Sequence, residues 1–552
     1  MSFLRKNFDF ALLGLIIAGF LLIATQRLAT VPVPDTDESY MLQISYEMIY
    51  RGKLANPFLR YLGGNIENNL HSFMPLHYVI QSGFLKIFGW GLLPGRVFNL
   101  ITAMTMLVMV FVIGRKLFDW RAGLAAVLLL ACDVTFLERS RYMRNDYSAS
   151  MFALLAYFLY EAAERRKSWR LFLGSGLAGG AALMCHTVTL YMLAAIPLLM
   201  LFRRGWRVIK APAFYQFAAG ALIVSAYEII SIITDYQNVL LQNRDDKIHF
   251  RVLGAMGWLK NIRNERRRYA YWYAGSKMPA EVPRTLLHLF QILAVIALIY
   301  LIIRLVIYFK RGKAMDEARV RVLAVSVTAI LFFSVITSQK AIYYMAHLAP
   351  WFALMTGVLI SDSLGLLERL RTARFERWKP PKLAHTAVIV LLAALALAFG
   401  YQIYKQNKRY LRVVRNPEIA SFEEFKTAIR SLVPDGVCPV VVRDPVIWLA
   451  FPEHDLCFAN IQERTKKAAD IDGNEYALIV SPALSRRWLK AIARNNHHLL
   501  GEILDSPYGS YEVYYTGVDP RWIALAPIRY QFFGRQRGFL KSEAASKAPQ
   551  DF

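Results

Sequence analysis

Four sets of side chains in this chain have the types and spacing to do chemistry. Asp37 and Glu38 stand side by side, after an extended Val31-Pro32-Val33-Pro34 segment and before a short amphipathic helix. Paired carboxylates there can move a proton or cap the helix. The run Glu138-Arg139-Ser140-Arg141-Tyr142-Met143-Arg144-Asn145-Asp146 is dense in guanidinium groups, whose planar fork grips phosphate oxygens two at a time. Lys340 with Tyr343 and Tyr344 could hold a lipid phosphate at headgroup level. His71, His77, His186, His249 and His347 could offer metal or substrate contacts, although no pair has the spacing of a zinc site. Arg244, Asp245, Asp246 and His249 form a further polar cluster.

Each set also has a purely structural reading. Asp35 and Glu38 fit the two ends of a capping box, with Met41, Ile44, Ser45, Met48 and Ile49 on one helical face and Gly52 at its end. The arginine run could be an interfacial loop whose side chains snorkel, but arginine is unusual in loops on the outer side of a membrane. Lys340 and its tyrosines could be an aromatic belt with a cationic anchor. Which reading holds depends on where the surrounding elements put these residues.

Those elements are mostly membrane spans. Of 552 residues 56% are hydrophobic, mean hydropathy is positive, and apolar runs of about 20 residues recur. The net charge of +26 resides in short loops between those runs, the positive-inside pattern, which argues against a nucleic-acid partner. Spans are predicted at 9–26, 94–114, 121–138, 147–163, 170–186, 188–202, 212–233, 285–309, 319–337, 345–361 and 383–403. The basic loops at Arg5-Lys6, Arg115-Lys116, Arg165-Arg166, Arg203-Arg204, Lys310-Arg311 and 369–382 then all face the cytoplasm. Counting the short apolar segment 75–88 as a span would invert every later loop, so it is read as an interfacial helix.

This topology gives an all-α polytopic membrane protein with the N-terminus in the cytoplasm. Its membrane domain covers residues 1–403, with outer loops at 27–93 and 234–284. Residues 404–520 alternate short apolar runs with helical patterns and read as a small extracytoplasmic α/β domain, followed by a basic, disordered tail at 521–552. Cys438 and Cys457 both fall in that domain and could pair; Cys132 and Cys185 lie in spans and read as packing residues. Ionisable residues gather at the outer ends of the spans and avoid their middles. That disfavours a transporter or flippase, which needs polar groups near the midplane. It suits an enzyme whose substrate keeps its tail in lipid and its head in water; a non-catalytic envelope scaffold is the remaining alternative.

Laid out in this order, the chain resembles the GT-C glycosyltransferases, and within them the bacterial protein mannosyltransferase and lipid A aminoarabinose transferase branch. The resemblance runs over about residues 1–400: Asp37-Glu38 after the first span, Met74-Pro75-Leu76-His77-Tyr78 opening an interfacial helix that ends at Phe88-Gly89, Arg96 at the start of the second span, Gly114-Arg115-Lys116-Leu117-Phe118 at its close, Ser140 to Asp146 after the third, and Lys340 with Tyr343-Tyr344 and Pro350. It implies an inverting enzyme in the bacterial inner membrane that moves a sugar from a polyprenyl-phosphate carrier to a lipid, glycan or protein acceptor at the outer face. It further implies Asp37 as the general base, with Glu38 and Asp146 as the other catalytic acids. Arg141, Arg144 and Lys340, with Tyr343 and Tyr344, are implied as the donor-phosphate site. His71, His186, Arg244, His249 and His347 are further candidates for substrate or metal contact. Phe73 stands where the family motif has a basic or metal-binding residue, and Cys185-His186 replaces its Thr-Lys pair. A divalent metal is therefore only a possible cofactor.

Overall fold

The computed structural model describes residues 8–57, 59, 64–71, 74–243, 255–270, 289–311, 317–338, 340–372, 421–433, 437–441, 445–452, 476–480, 498–506, 509–515 and 527–531, with scattered positions between 397 and 415. The chain is a helical bundle with a small mixed sheet near its C-terminus. In order, the helices are α1 Phe8–Ala24, α2 Thr36–Tyr46, α3 Leu76–Phe88, α4 Leu92–Leu117, α5 Trp120–Ala131, α6 Val134–Ser140, α7 Asn145–Arg166, α8 Trp169–Cys185, α9 Leu190–Arg204, α10 Pro212–Thr234, α11 Tyr236–Asn243, α12 Ala255–Ala270, α13 Leu289–Arg311, α14 Glu317–Leu331, α15 Met345–Thr372 and α16 Phe422–Ser431.

Among the described residues six helices are long and apolar enough to cross a membrane, and a seventh results if α5 and α6, bent by 66° at Cys132-Asp133, form one span. The bend falls where the predicted span 121–138 runs through Asp133, whose side chain accepts from the Thr135 N–H and starts a new helix. The 17-residue α1 and α8 and the acid-bearing α7 occupy the other predicted spans, and most of 383–403 lies outside the described residues. The 13-residue α3 is too short to span, as expected; it starts after Pro75 and stops at Gly89, which takes φ +94°.

Packing in the bundle depends on small residues. Helices α8 and α10 cross so closely that a Cβ on Gly176 would lie 1.9 Å from the Phe217 carbonyl oxygen, and one on Gly220 would lie 2.2 Å from that of Leu173. At the end away from the first loop, buried acids are matched by arginines. Arg321 holds Glu161 through two bonds of 2.6 and 2.9 Å, while Arg203 and Arg204 hold Glu164. Reading one span at a time does not reveal these pairs, because each joins helices far apart in sequence.

The sheet has the order β1-β2-β4-β3-β5, from Cys438–Val441, Tyr476–Val480, His498–Ser506, Gly509–Tyr515 and Ile528–Gln531. Strands β1 and β2 are parallel, β4 runs antiparallel between β2 and β3, and β5 is parallel to β3. Strand β5 lies in the segment expected to be a disordered tail, so the sheet extends past residue 520. Cys457 lies outside the described residues, as does the proposed Cys438–Cys457 pairing. The sheet domain and the first loop share one apolar core. The buried Trp448 indole meets Tyr46 at 5.9 Å and Trp90 at 5.8 Å between ring centres.

Candidate active site

The first-loop acids are placed by the start of α2. Asp35 is its N-cap, with Oδ1 accepting from the Glu38 N–H at 2.9 Å, while the Glu38 carboxylate accepts from the Asp35 N–H at 3.4 Å. The capping box read from the sequence is therefore present. It turns Asp37 outward in the first turn and sends Glu38 into the protein.

Glu38 is fully buried. Its carboxylate accepts from Arg96 Nε at 2.9 Å and Nη2 at 2.7 Å, and from the Met143 N–H at 2.9 Å. Arg96 also donates to the Leu28 carbonyl at 2.9 Å. One ion pair thus ties α2 to α4, to the end of α1 and to the arginine loop.

Arg144 is the hub of the site. It occupies the N-cap position of α7 with an extended backbone, and its guanidinium reaches back over the first loop. Nη1 lies 2.5 Å from Asp37 Oδ2 and 3.9 Å from Asp35 Oδ2, while Nε donates to Asp146 Oδ2 at 2.9 Å. The ring of Tyr343 lies beneath the guanidinium, 3.7 Å from its carbon. Burial works against the Arg144 charge, yet Asp37 and Asp146 more than offset it and raise its pKa well above the ordinary guanidinium value. Asp37 remains 41% exposed at its side chain, and among the described residues no donor reaches its second carboxylate oxygen.

Asp146 is fully buried, and its other oxygen lies 3.2 Å from His347 Nε2 and 3.7 Å from His186 Nε2. His347 Nδ1 lies 2.7 Å from Ser150 Oγ, so a hydroxyl, an imidazole and a carboxylate run in series behind Arg144. Tyr344, also buried, sets its ring edge-on to His186 at 5.7 Å. The site therefore brings together Asp37, Asp146, Arg144, Tyr343, Tyr344, His186 and His347.

Burial raises Asp35 to about 6, helped by the negative charges of Asp37 and Glu38 and opposed by Arg144. The folded state therefore holds the proton more tightly than an unfolded chain does. The associated stability is complete below the ordinary aspartate value and is lost as pH rises through about 6.

Other expected residues lie elsewhere. Arg141 is fully buried and does not face an open phosphate site: it donates to the Gln26 and Val31 carbonyls and lies 2.6 Å from the Tyr410 hydroxyl, fastening the start of the first loop. The Lys340 side chain is turned inward as well, 2.8 Å from Glu265 Oε2 and donating to the Phe333 and Ser334 carbonyls. Burial lowers its pKa, with Glu265 acting in the opposite direction. Both cations are drawn inward by acceptors distant in sequence, and the Glu265 partner had no signal beyond sitting in a basic, aromatic stretch. His71 lies 2.8 Å from Asp235 and pins the first loop to the start of α11. His77, buried and lowered to about 3 by that burial, lies 3.0 Å from Ser148 Oγ. Arg244 and His249 lie outside the described residues. Among the described residues no three histidine, cysteine, aspartate or glutamate side chains converge on a metal position. Arg144 already fills the space between Asp37 and Asp146 where a cation would sit, so this donor set does not fit a divalent ion.

Residues 71–230 match the family model described as dolichyl-phosphate-mannose-protein mannosyltransferase. No curated protein matches by sequence. Among solved structures, ArnT from Cupriavidus metallidurans bound to undecaprenyl phosphate is similar with a TM-score of 0.58 at 13% identity, over 92% of this chain and 98% of that one. The Archaeoglobus fulgidus oligosaccharyltransferase in its apo form gives 0.57 at 14% identity, over 94% of this chain and 75% of that one. The same archaeal enzyme has been solved in complex with Zn and sulfate, with a TM-score of 0.50 at 14% identity over 80% of this chain and 62% of that one. The chain carries the GT-C glycosyltransferase fold and is an integral membrane protein.

Proposed function

We propose that this protein is an inverting glycosyltransferase that takes a sugar from a polyprenyl-phosphate carrier and gives it to a hydroxyl-bearing acceptor. The observation that carries the reading is Asp37: a carboxylate held at one oxygen by Arg144, with the other open, at one end of a GT-C bundle. Asp37 takes the proton of the acceptor hydroxyl as its oxygen attacks the anomeric carbon. The bond from that carbon to the phosphate oxygen breaks, its electron pair leaves with the polyprenyl phosphate, and configuration inverts. Among the described residues Arg144 is the cation that pairs with Asp37; it orients that carboxylate and offers positive charge to the leaving phosphate. Tyr343 holds the guanidinium from below, and Asp146 fixes it from behind with His347 and Ser150. His186 is the contact we assign to the sugar or acceptor. We assign Glu38, Arg141 and Lys340 to positioning, since the side chain of each is engaged by protein partners. No step runs through a metal.

The acceptor class, lipid, glycan or protein, is open to direct measurement. Mass spectra of envelope glycolipids, glycans and glycoproteins from cells with and without this protein should differ by one species that loses a single sugar residue. Identical profiles under conditions where the protein is expressed would overturn the reading.

We further place the site and the sheet domain on the outer face of a bacterial inner membrane, with the N-terminus in the cytoplasm. Glu423, exposed on α16, reports on this. A cysteine introduced at that position should react with an impermeant maleimide in intact spheroplasts; reaction only after lysis would reverse the orientation.

A further inference from the structure

A polar cavity lies at the end of the bundle opposite the Asp37 site. Helices α4 and α7 both start at the site, at Arg96 and Asp146, and each runs twenty residues further to Lys116 and Arg166. At 1.5 Å per residue that is about 30 Å, the thickness of a bilayer core. Between their far ends is a cavity of about 300 Å³, walled by Ile113, Leu117 and Phe158 and bordered by Lys116, Arg165 and Arg166.

Three observations bear on what fills it. The cations are not matched: among the described residues no carboxylate pairs with Lys116, Arg165 or Arg166, all three exposed. The acids nearby are already engaged, with Glu161, also in the cavity wall, gripped by Arg321, and Glu164 by Arg203 and Arg204. The cavity is also amphipathic, with the Lys116 ammonium 5.0 Å from the centre of the Phe158 ring. Finally, Trp120, Trp169 and Trp206 are exposed at this same end, as tryptophans are at the headgroup level of a membrane.

We propose that this cavity is a binding site for the phosphate headgroup of an anionic glycerophospholipid, with an acyl chain lying along the half-buried Leu117 and Phe158. A phosphodiester carries its single negative charge over two unesterified oxygens that the three cations can share, and Leu117 and Phe158 give the lipid tail an apolar wall. A soluble phosphate would leave that wall wet, so the occupant is a lipid. The site is separate from the Asp37 chemistry and does not depend on the transferase reading.

The test uses the full-length protein in detergent micelles, titrated with fluorescent short-chain phosphatidylglycerol. A cation near an anionic headgroup contributes about fivefold in affinity, so Lys116→Gln/Arg165→Gln/Arg166→Gln should weaken binding by about 100-fold. The control Arg170→Gln/Arg207→Gln/Lys210→Gln removes the same charge from exposed positions at the same end but outside the cavity, and should bind as wild type. Phosphatidylcholine should bind the wild type far more weakly than phosphatidylglycerol. Wild-type affinity in the cavity variant would overturn the proposal, as would equal losses in both variants, which mean general surface charge. Displacement of the probe by inorganic phosphate as effectively as by unlabelled phosphatidylglycerol would also overturn it, because the occupant would then be a free anion.

Discussion

Asp37→Asn is expected to lower turnover by about 10²–10⁴-fold while the protein remains folded and binds its donor. The substitution keeps the size of the side chain and most of its hydrogen bonding, but removes the group that takes the acceptor proton. Loss of the Asp37–Arg144 pair should cost little in stability. The side chain is 41% exposed, exposed ion pairs contribute about 0–1 kcal/mol, and Arg144 keeps Asp146 as partner. The deficit should fall on kcat and leave KM for the polyprenyl-phosphate sugar nearly unchanged. Asp35→Asn is the matched control two residues away. Asparagine caps a helix as well as aspartate does, and the change removes a negative charge from beside Asp37 and Glu38. That variant should be at least as stable as the parent above about pH 6, where the aspartate has lost its proton, and should retain turnover. Near-normal transfer by Asp37→Asn would remove the base from the mechanism.

Much of this arrangement was readable from local pattern. The capping box needed only Asp35 and Glu38 at the right spacing, and its consequence, Asp37 facing out, follows from helical geometry. That α3 does not span was legible because 13 residues cannot cross a bilayer, and the grouping of site residues at one end of the spans because the ionisable residues avoid the span middles. What local pattern could not supply was the partner of each charge. Arg141, Arg144 and Lys340 are alike as sequence, three cations near span ends. Only Arg144 meets the exposed Asp37, because Tyr410 and two carbonyls draw Arg141 inward and Glu265 draws Lys340 away. His347 becomes part of the site through Asp146, two hundred and one residues earlier in the chain. In the C-terminal domain, β3 carries a weak strand pattern because Gly501 and a register shift beside it break the alternation. Strand β5 was missed because four residues in a basic segment carry too little pattern.

The buried pair Arg96–Glu38 allows positioning and catalysis to be told apart for the acid next to Asp37. Both side chains are wholly inaccessible, and together they join α1, α2, α4 and the loop that carries Arg144. Removing one partner leaves a charge with nothing to balance it, so Arg96→Met should destabilise the protein by about 3–5 kcal/mol, read from unfolding in detergent. Adding Glu38→Leu should recover part of that loss, since a buried ion pair replaced by apolar groups is often close to neutral. Recovery should stop short of complete, because the Met143 and Asp35 N–H groups lose their acceptor, at about 1–3 kcal/mol for a buried donor. Glu38→Gln then separates the two roles. It keeps the shape and one acceptor oxygen but leaves Arg96 without a counter-charge. If Glu38 holds the loop in place, stability and turnover fall together, and the double variant regains both in part. A Glu38→Gln protein that unfolds like the parent yet has lost turnover would mean that this carboxylate acts on substrate, and Asp37 would no longer be the sole acid of the first loop assigned to the chemistry.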